Sequence, residues 1–532
     1  MKNILIAIRS IFKKGRHNVM KIVSLGIGLA VGLVLIAKVY FEQSYDDFYP
    51  DRDRVYQVWA KYQQNGGELK DYPQTSGGIA PTMQQQIPEI ETVTRYTSFG
   101  DWTFTMTDTK MKYSGRCIIA DSCFFDILPR PMLIGNAKEV LSTPMYVLIS
   151  SRIAKNIGGD VIGKNFTVDN SPGRTMTIGG VFEEVPENSH SRYDVIVSMA
   201  SAGRFMWEGS PTNMLGNDRY ISYVKLHKGV NPLALEEQVR TFVNSYFPPE
   251  EQQKVGLSID FSFHKLDNLH KELPQVKRMT WILSLLAFAL IFTAVMNYIL
   301  IVISSIVNRS KEVAVHKCYG ASENNIHGMM FGEALVHIVL SLILALLLIL
   351  AFRGTVEELL ATSLDSLLLS NGSLVLLGIC ILVFFVSGFM PGSLYARIPV
   401  ASAFRNYREN KRIWKKALLL VQFVATGFLV TMLVFVARQY TFMVNDRPGY
   451  AYENLAYCGL AGVDSTSRAK ILDEVMRLPG VAAATTVYQL PFEHASGNNI
   501  LLPGGTQELF NIADLYWVGN GYLDMMEIPV IQ

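Results

Sequence analysis

The stretch NRSKEVAVHKCYGAS, residues 308–322, lies between two long apolar stretches and reads as more than a loop. A connection between membrane helices needs only a few polar residues. This one carries Arg309, Lys311, Glu312 and Lys317 as a polar surface, with Val313, Ala314 and Val315 supplying apolar area. Gly320 stands where a helix would stop and Ser322 where the next would be capped. The pattern predicts a short helix lying across the ends of two spans and suited to docking a partner. From these residues alone, that helix and an ordinary basic loop both remain open.

Outward from it, five segments are apolar over the ~20 residues that cross a bilayer as a helix: 21–41, 279–305, 325–352, 372–396 and 417–437. Of 532 residues, 49% are hydrophobic, and mean hydropathy is positive at +0.21, unusual for a soluble protein. A net charge of +2 points to no nucleic-acid partner. Five scattered cysteines make neither a disulfide framework nor a zinc site, although Cys117 and Cys123 could pair in an oxidising compartment. The first apolar run is too long for a cleaved leader, and FEQSYDDFYP follows it in place of a small-residue cleavage site.

Flanking charges orient the spans. Residues 1–20 are basic, with Lys2, Arg9, Lys13, Lys14 and Arg16, and Lys21 opens the first span; 397–416 carries seven Lys and Arg against Glu409. The 353–371 loop is acidic, with Glu357, Glu358 and Asp365 against Arg353. The expected arrangement is a multi-pass protein of the plasma (inner) membrane with a cytoplasmic N-terminus. It places 1–20, 306–324 and 397–416 inside, and 42–277, 353–371 and 439–532 outside.

The 42–277 segment is large enough to bury its own core. TFTMTDTKMKY (103–113) alternates around a turn, and NFTVDNSPGRTMTIGGV (165–181) reads as two strands joined at Asn-Ser-Pro-Gly. NPLALEEQVRTFVNSYF (231–247) starts with an Asn cap and a proline, then puts Leu235, Val239, Phe242 and Tyr246 on one helical face. The fold class expected is an α-helical integral membrane protein with a large extracytoplasmic α+β domain. An internal repeat is also expected. RSIFKKGRHNVMK answers to RNYRENKRIWKKA, IPEIETVT (87–94) to LPGVAAAT (478–485), and CFFDILPRP (123–131) to GYLDMMEIP (521–529), all about 395 residues apart. The second copy then stops mid-domain at Gln532, so it is expected to be truncated.

RSKEVAVHKCYGASENNIHGMMFGEAL resembles the signature of the FtsX/MacB-type permeases of ABC transporters. Arg309, Lys311, Glu312, Val313, Val315, Lys317, Gly320, Ala321, Ile326 and Glu333 fill that pattern, while His316, Cys318 and Tyr319 are less usual fillers. IGKNFTVDNSPGRTMTIGGVFEEVPENSHSRYDV (162–195) is similar to the MacB-type periplasmic core domain. The basic N-terminal helix, with Ile4, Leu5, Ile8, Ile11 and Phe12 on one side, also fits.

The resemblance implies a permease whose 306–324 segment is a coupling helix, on which a separate ABC ATP-binding subunit docks. That subunit binds ATP; this chain binds no cofactor. Its motion passes through the spans to the extracytoplasmic domain, for export or extraction of a drug, peptide, lipid or lipoprotein. The alternative is a sensor or regulator coupled to an ATPase without transport. Partners implied are the ATPase, the bilayer, and a periplasmic adaptor or outer-membrane protein. The assembly implied is a pseudo-twofold monomer at full length, or otherwise a homodimer.

Other motifs carry less. GGDVIGKN (158–165) has P-loop spacing, but Asn165 replaces the Ser or Thr and a strand follows where a helix is needed, so a turn is expected. ENSHSRYD (187–194) groups His190 with Glu187 and Asp194, and reads as a loop held by Asn and Ser hydrogen bonds in preference to a metal site. No catalytic constellation is recognisable. Glu333 and His337, four apart, share one face of the third span, as an intramembrane functional pair or as an interfacial anchor. Lys38 is expected to snorkel outward.

Overall fold

The computed structural model describes residues 17–64, 67–168, 173–216, 218–370, 372–404, 413–446, 449–460, 463–491, 497–503 and 508–530. The proposed N-terminal helix and most of its counterpart before the fifth span lie outside them. Two compact units are present: residues 1–166 with 175–429, and residues 167–174 with 430–532.

In the first unit, α1 (Asn18–Gln43) leads into a domain and α9 (Pro274–Ser304) leaves it. Then come α10 (Ile306–Cys318), α11 (Glu323–Ala351), α12 (Arg353–Leu360), α13 (Leu364–Leu368), α14 (Ser373–Ala396) and α15 (Val400–Phe404), followed by α16 (Ile413–Asn445), of which residues up to 429 belong to the first unit and the rest to the second. Among the described residues, five helices (α1, α9, α11, α14 and Lys416–Asn445 of α16) are long and apolar enough to cross a membrane. The first four share a core in which Leu25, Leu29, Tyr298, Ile299, Met330, Ile338 and Tyr395 are buried together. Small residues permit the close approach: a Cβ added at Gly28 would come 2.2 Å from the Ala294 Cβ. At 1.5 Å rise per residue, α1 is about 39 Å long, beyond the ~30 Å of a hydrocarbon core. Its last turns carry the buried charged residues Lys38 and Glu42.

The domain between α1 and α9 contains β1 (Val55–Gln64), β2 (Lys70–Tyr72), α2 (Ile79–Gln86), β3 (Ile90–Met106), β4 (Lys112–Ala120), α3 (Phe124–Ile127) and β5 (Met132–Ile134). It continues with α4 (Ala137–Ser142), β6 (Tyr146–Ser150), α5 (Ser151–Ile157), β7 (Asn165–Val168), β8 (Thr175–Phe182), β9 (Val195–Ser198) and α6 (Ala202–Phe205). It closes with β10 (Ile221–Leu226), α7 (Glu236–Tyr246), α8 (Pro249–Val255) and β11 (Leu257–Lys265).

One mixed sheet runs β11-β1-β10-β3-β4-β9-β6-β8-β5. The β4–β9 and β6–β8 pairs are parallel. Two cores lie along it. One packs Val239, Phe242 and Val243 of α7 against Val58, Val224 and Ile259. The other surrounds Phe124, Leu148, Phe182 and Ile196.

Local chemistry sets these elements. Asn231 accepts from the Leu233 amide, and Pro232 opens a single 3-10 turn before α7. Leu235, Val239 and Phe242 are buried, whereas Tyr246 is half exposed at 39%. Thr177 donates to Asn165 across β8 and β7 at 2.8 Å; the intervening turn at 169–172 lies outside the described residues.

The second unit contains α17 (Ser465–Met476), capped by Asp464 accepting from the Thr466 and Ser467 amides. An antiparallel pair follows, β12 (Gly497–Leu501) with β13 (Glu508–Asp514), and then α18 (Tyr522–Met525).

Candidate functional site

The 308–322 stretch is helical up to Cys318, as part of α10. It ends in a pair of reverse bonds: the Gly320 amide donates to Lys317 O and the Ala321 amide to His316 O, both at 3.0 Å. This is the Schellman arrangement, and Gly320 sits at its left-handed position with φ +85°. Ser322 caps α11 by accepting from the Asn325 amide.

Helical phase divides the side chains of α10 in a way that residue type does not. Positions four apart stack on one face. Arg309, Val313 and Lys317 form the inner ladder: Arg309 and Val313 are buried, and Lys317 Nζ donates to the carbonyls of Ala396 (2.7 Å) and Ile398 (2.9 Å). Lys311, Val315 and Tyr319 form the opposite ladder and are exposed, with Tyr319 at 89%. His316 and Cys318 are exposed too, Glu312 is half-buried, and Ala321 packs against the helical core. The expectation that Arg309 and Lys317 belong to an exposed docking surface is corrected: both face the membrane helices. The exposed face instead includes Tyr319, His316 and Cys318, residues the motif reading set aside. The four-residue repeat Lys-Val-Tyr was the signal that could have found Tyr319.

Glu333 lies at the centre of a buried polar group. Arg309 Nη1 of α10 is 2.8 Å from its carboxylate, and Lys21 Nζ of α1 is 3.8 Å away. All three are at most 6% exposed. The Arg309 guanidinium also lies over the Tyr395 ring of α14 at 5.4 Å. Tyr395 Oη reaches Ser305 Oγ and the Val302 carbonyl, each at 3.1 Å. One turn along α11, His337 Nδ1 is 3.2 Å from Tyr298 Oη of α9. Four spans and α10 thus contribute polar side chains to one cluster. In place of a lone interfacial anchor, Glu333 is a partner shared between elements.

A second ionic cluster joins the C-terminal end of α1 to the domain. Lys38 does not snorkel to solvent. Its Nζ bonds Glu42 Oε1 at 2.7 Å and Thr362 Oγ1 at 2.8 Å, because the α12–α13 turn covers it. Glu42 also binds His270 Nε2 at 2.6 Å, and His270 stacks on Tyr45. Asp46 takes His190 Nδ1 at 2.7 Å and Ser189 Oγ at 3.1 Å, while Asn188 Nδ2 donates to Ser44 O at 2.7 Å. His190 therefore pairs with a carboxylate of the chain segment leaving α1; Glu187 accepts from the Ser363 amide at 3.0 Å, and Asp194 pairs with Arg152 at 2.7 Å.

The GGDVIGKN stretch turns from α5 into β7 through positive-φ glycines at 158, 159 and 163. Cys117 and Cys123 are free thiols; Cys117 is buried, and Cys123 Sγ donates to the Val93 carbonyl at 3.0 Å.

A helix is thus braced on the ends of the apolar helices, and a sheet domain is held to the end of the first of them. Residues 20–242 match the MacB-like periplasmic core domain family and residues 284–400 the FtsX-like permease C-terminal family. A crystallised domain of a permease protein from Porphyromonas gingivalis is 33% identical, aligning over 41% of this chain and 91% of that one with a TM-score of 0.38. The periplasmic region of MacB from Actinobacillus actinomycetemcomitans is 16% identical over 39% and 87% of the two chains, TM-score 0.26. The extracellular domain of the noncanonic ABC-type transporter YknZ from Gram-positive bacteria is 11% identical over 38% and 98%, TM-score 0.28. No curated protein matches the chain. The chain belongs to the FtsX/MacB-type ABC transporter permeases, a family that implies an ATP-binding partner.

Proposed function

We propose that this chain is the lever of an ATP-driven machine: a separate ATPase docks on the exposed face of α10, and its closure is passed through the spans to the domain between α1 and α9. The observation that carries the reading is the two-faced construction of α10. Its inner ladder is pinned by an ion pair to Glu333 and by Lys317 to the end of α14, so a force on the helix moves spans and does not bend a loop. Its outer ladder ends in Tyr319, an aromatic side chain free to enter a partner's pocket, the residue type that dominates interface energetics. The α10 side is then cytoplasmic and the sheet domain extracytoplasmic, in the plasma membrane. Energy comes from the partner's ATP, with no catalysis by this chain, and the work is export or extraction of an amphipathic or hydrophobic substrate.

A second copy of the lever within the chain is part of this reading. Its support is the element order α17–β12–β13–α18, which parallels α2–β3–β4–α3 with β13 about 395 residues after β4. Superposing the two segments tests it: unrelated topologies would remove the repeat. The docking test is co-purification of the ABC ATP-binding subunit with the chain in lipid. Tyr319→Ala and Lys311→Glu should weaken capture, each by about tenfold if the side chain is a central contact, with unfolding temperature unchanged. Parental capture by both variants would overturn the assignment of this face. ATP hydrolysis stimulated by a peptide that is never translocated would select the sensor alternative.

A further inference from the structure

We propose that Glu333 is a coupling residue of this permease, a charged side chain through which displacement of α10 reaches α1. This rests on the reading of α10 as the docking helix. Ordinary covalent continuity connects α10 to α9 and, through Gly320, to α11. Nothing in the sequence connects it to α1, which ends some 260 residues earlier. Yet α1 is the helix that runs directly into the sheet domain.

The geometry supplies the missing link. Glu333 holds Arg309 of α10 with one oxygen at 2.8 Å and faces Lys21 of α1 with the other at 3.8 Å. Lys21 is fully buried and also donates to Asn18 Oδ1 at 3.2 Å, within the first turn of α1. A buried carboxylate facing two cations resists leaving either, because separating the charges in a low-dielectric interior is costly; Arg309 keeps a second carboxylate, Glu312 of its own helix, at 3.7 Å. Displacing α10 therefore draws Lys21 along or separates it from Glu333 at a cost. Ser341 Oγ of α11 also donates to the Ile22 carbonyl of α1 at 3.1 Å, beside the ion pair.

At its other end α1 is fixed just as firmly. Lys38, Glu42 and Asp46 lock it to Thr362, His270 and His190. A rod clamped at both ends, by Glu333 at one and by three charged side chains of its own at the other, carries a displacement of α10 into the sheet domain. Arg309, Lys21 and Glu333 are positioning residues in this scheme; none touches a substrate.

The test uses the full chain with its ATPase in lipid. Spin labels replace the exposed Met111 of the sheet domain and the exposed Phe352 at the end of α11, with the other accessible cysteines, Cys123, Cys318, Cys380 and Cys458, changed to serine in every chain compared. The distance between labels is compared in nucleotide-free and ATP-trapped complexes. Two variants separate transmission from folding. Lys21→Met keeps the Arg309–Glu333 pair and removes the ion pair to α1, together with the Lys21–Asn18 bond; Glu333→Gln removes the hub. Both should still capture the ATPase, while the nucleotide-dependent change in distance is lost and permease-stimulated ATP hydrolysis falls about tenfold, mid-range for a coupling between sites. A Lys21→Met chain that captures the ATPase, unfolds at the parental temperature and shows the full distance change overturns the proposal. If even the unsubstituted chain captures no ATPase, the docking role of α10 falls first, and the coupling role of Glu333 falls with it.

Discussion

Gly320 offers a sharp test, because its geometry isolates one physical cost. Its φ is +85°, and a Cβ added there meets no atom within 4 Å. A substitution therefore clashes with nothing, and its penalty is the backbone's alone. For alanine, a left-handed conformation costs about 1–2 kcal/mol; asparagine, which tolerates it better, should cost less, and β-branched valine more. A cost of 1–2 kcal/mol is a factor of about 5–30 in the population of the closed turn. What opens is the Schellman pair at Lys317 and His316, and with it the last turn of α10, the turn that presents Tyr319. The ATPase then binds a helix whose competent form is depleted, so its apparent affinity falls by up to the same factor. The assay is titration of the ATPase onto the lipid-embedded chain, with Gly320→Asn, Gly320→Ala and Gly320→Val in parallel. Affinity should fall in that order. Parental affinity for Gly320→Val would refute the reasoning, and so would equal losses for all three, since a penalty blind to side-chain type is not a backbone penalty.

Lys317→Glu should act through α14 and not through a partner surface: a carboxylate facing the Ala396 and Ile398 carbonyls lowers the unfolding temperature of the chain even with no ATPase present, whereas Lys311→Glu leaves it unchanged. Lys38→Met should destabilise the chain by about 3 kcal/mol by leaving Glu42 short of its buried cation, and the double variant Lys38→Met, Glu42→Gln should regain most of that loss in thermal unfolding. In the sheet domain, the Lys225 ammonium, followed by Arg54, holds the Asp51 carboxyl below its ordinary range against partial burial, and Arg54 does the same for Glu91. Depressed carboxylates contribute stability above their unfolded values near pH 4 and lose it as the pH falls further. The acid limb of a stability profile below about pH 4 should therefore be shallower in Lys225→Met. With the α10 side cytoplasmic, a membrane-impermeant thiol reagent should label the exposed Cys318 from the inside and the exposed Cys458 from the outside, whereas Cys117 is buried and reacts only after unfolding; labelling of Cys318 from the outside alone would reverse the orientation.

Much of this protein was legible without coordinates because the signals are local. A bilayer demands about 20 apolar residues in a row, so the spans stand out by composition. Caps and stops are written within four residues of where they act, hence Asn231, Ser322 and Gly320 could be assigned from their neighbours. Period alone placed Val239 and Phe242 on the buried face of α7, whereas Tyr246, assigned to the same face, is exposed. The roles of the charged residues did not, because charge is ambiguous until its partner is known. Arg309 and Lys317 look like surface residues in a basic stretch, and Lys38 looks like a snorkelling lysine at the end of a span. Their partners, Glu333, the Ala396 carbonyl and Thr362, lie 24, 79 and 324 residues away. Burial of a charge is decided by whether the fold delivers a counter-charge to the same place, and only the packing of α1, α10, α11 and α14 against one another does that. Membership of α10 in a helix was a property of the sequence; which of its faces looks outward was a property of the tertiary structure, since the phase of a helix is fixed by what its neighbours bury.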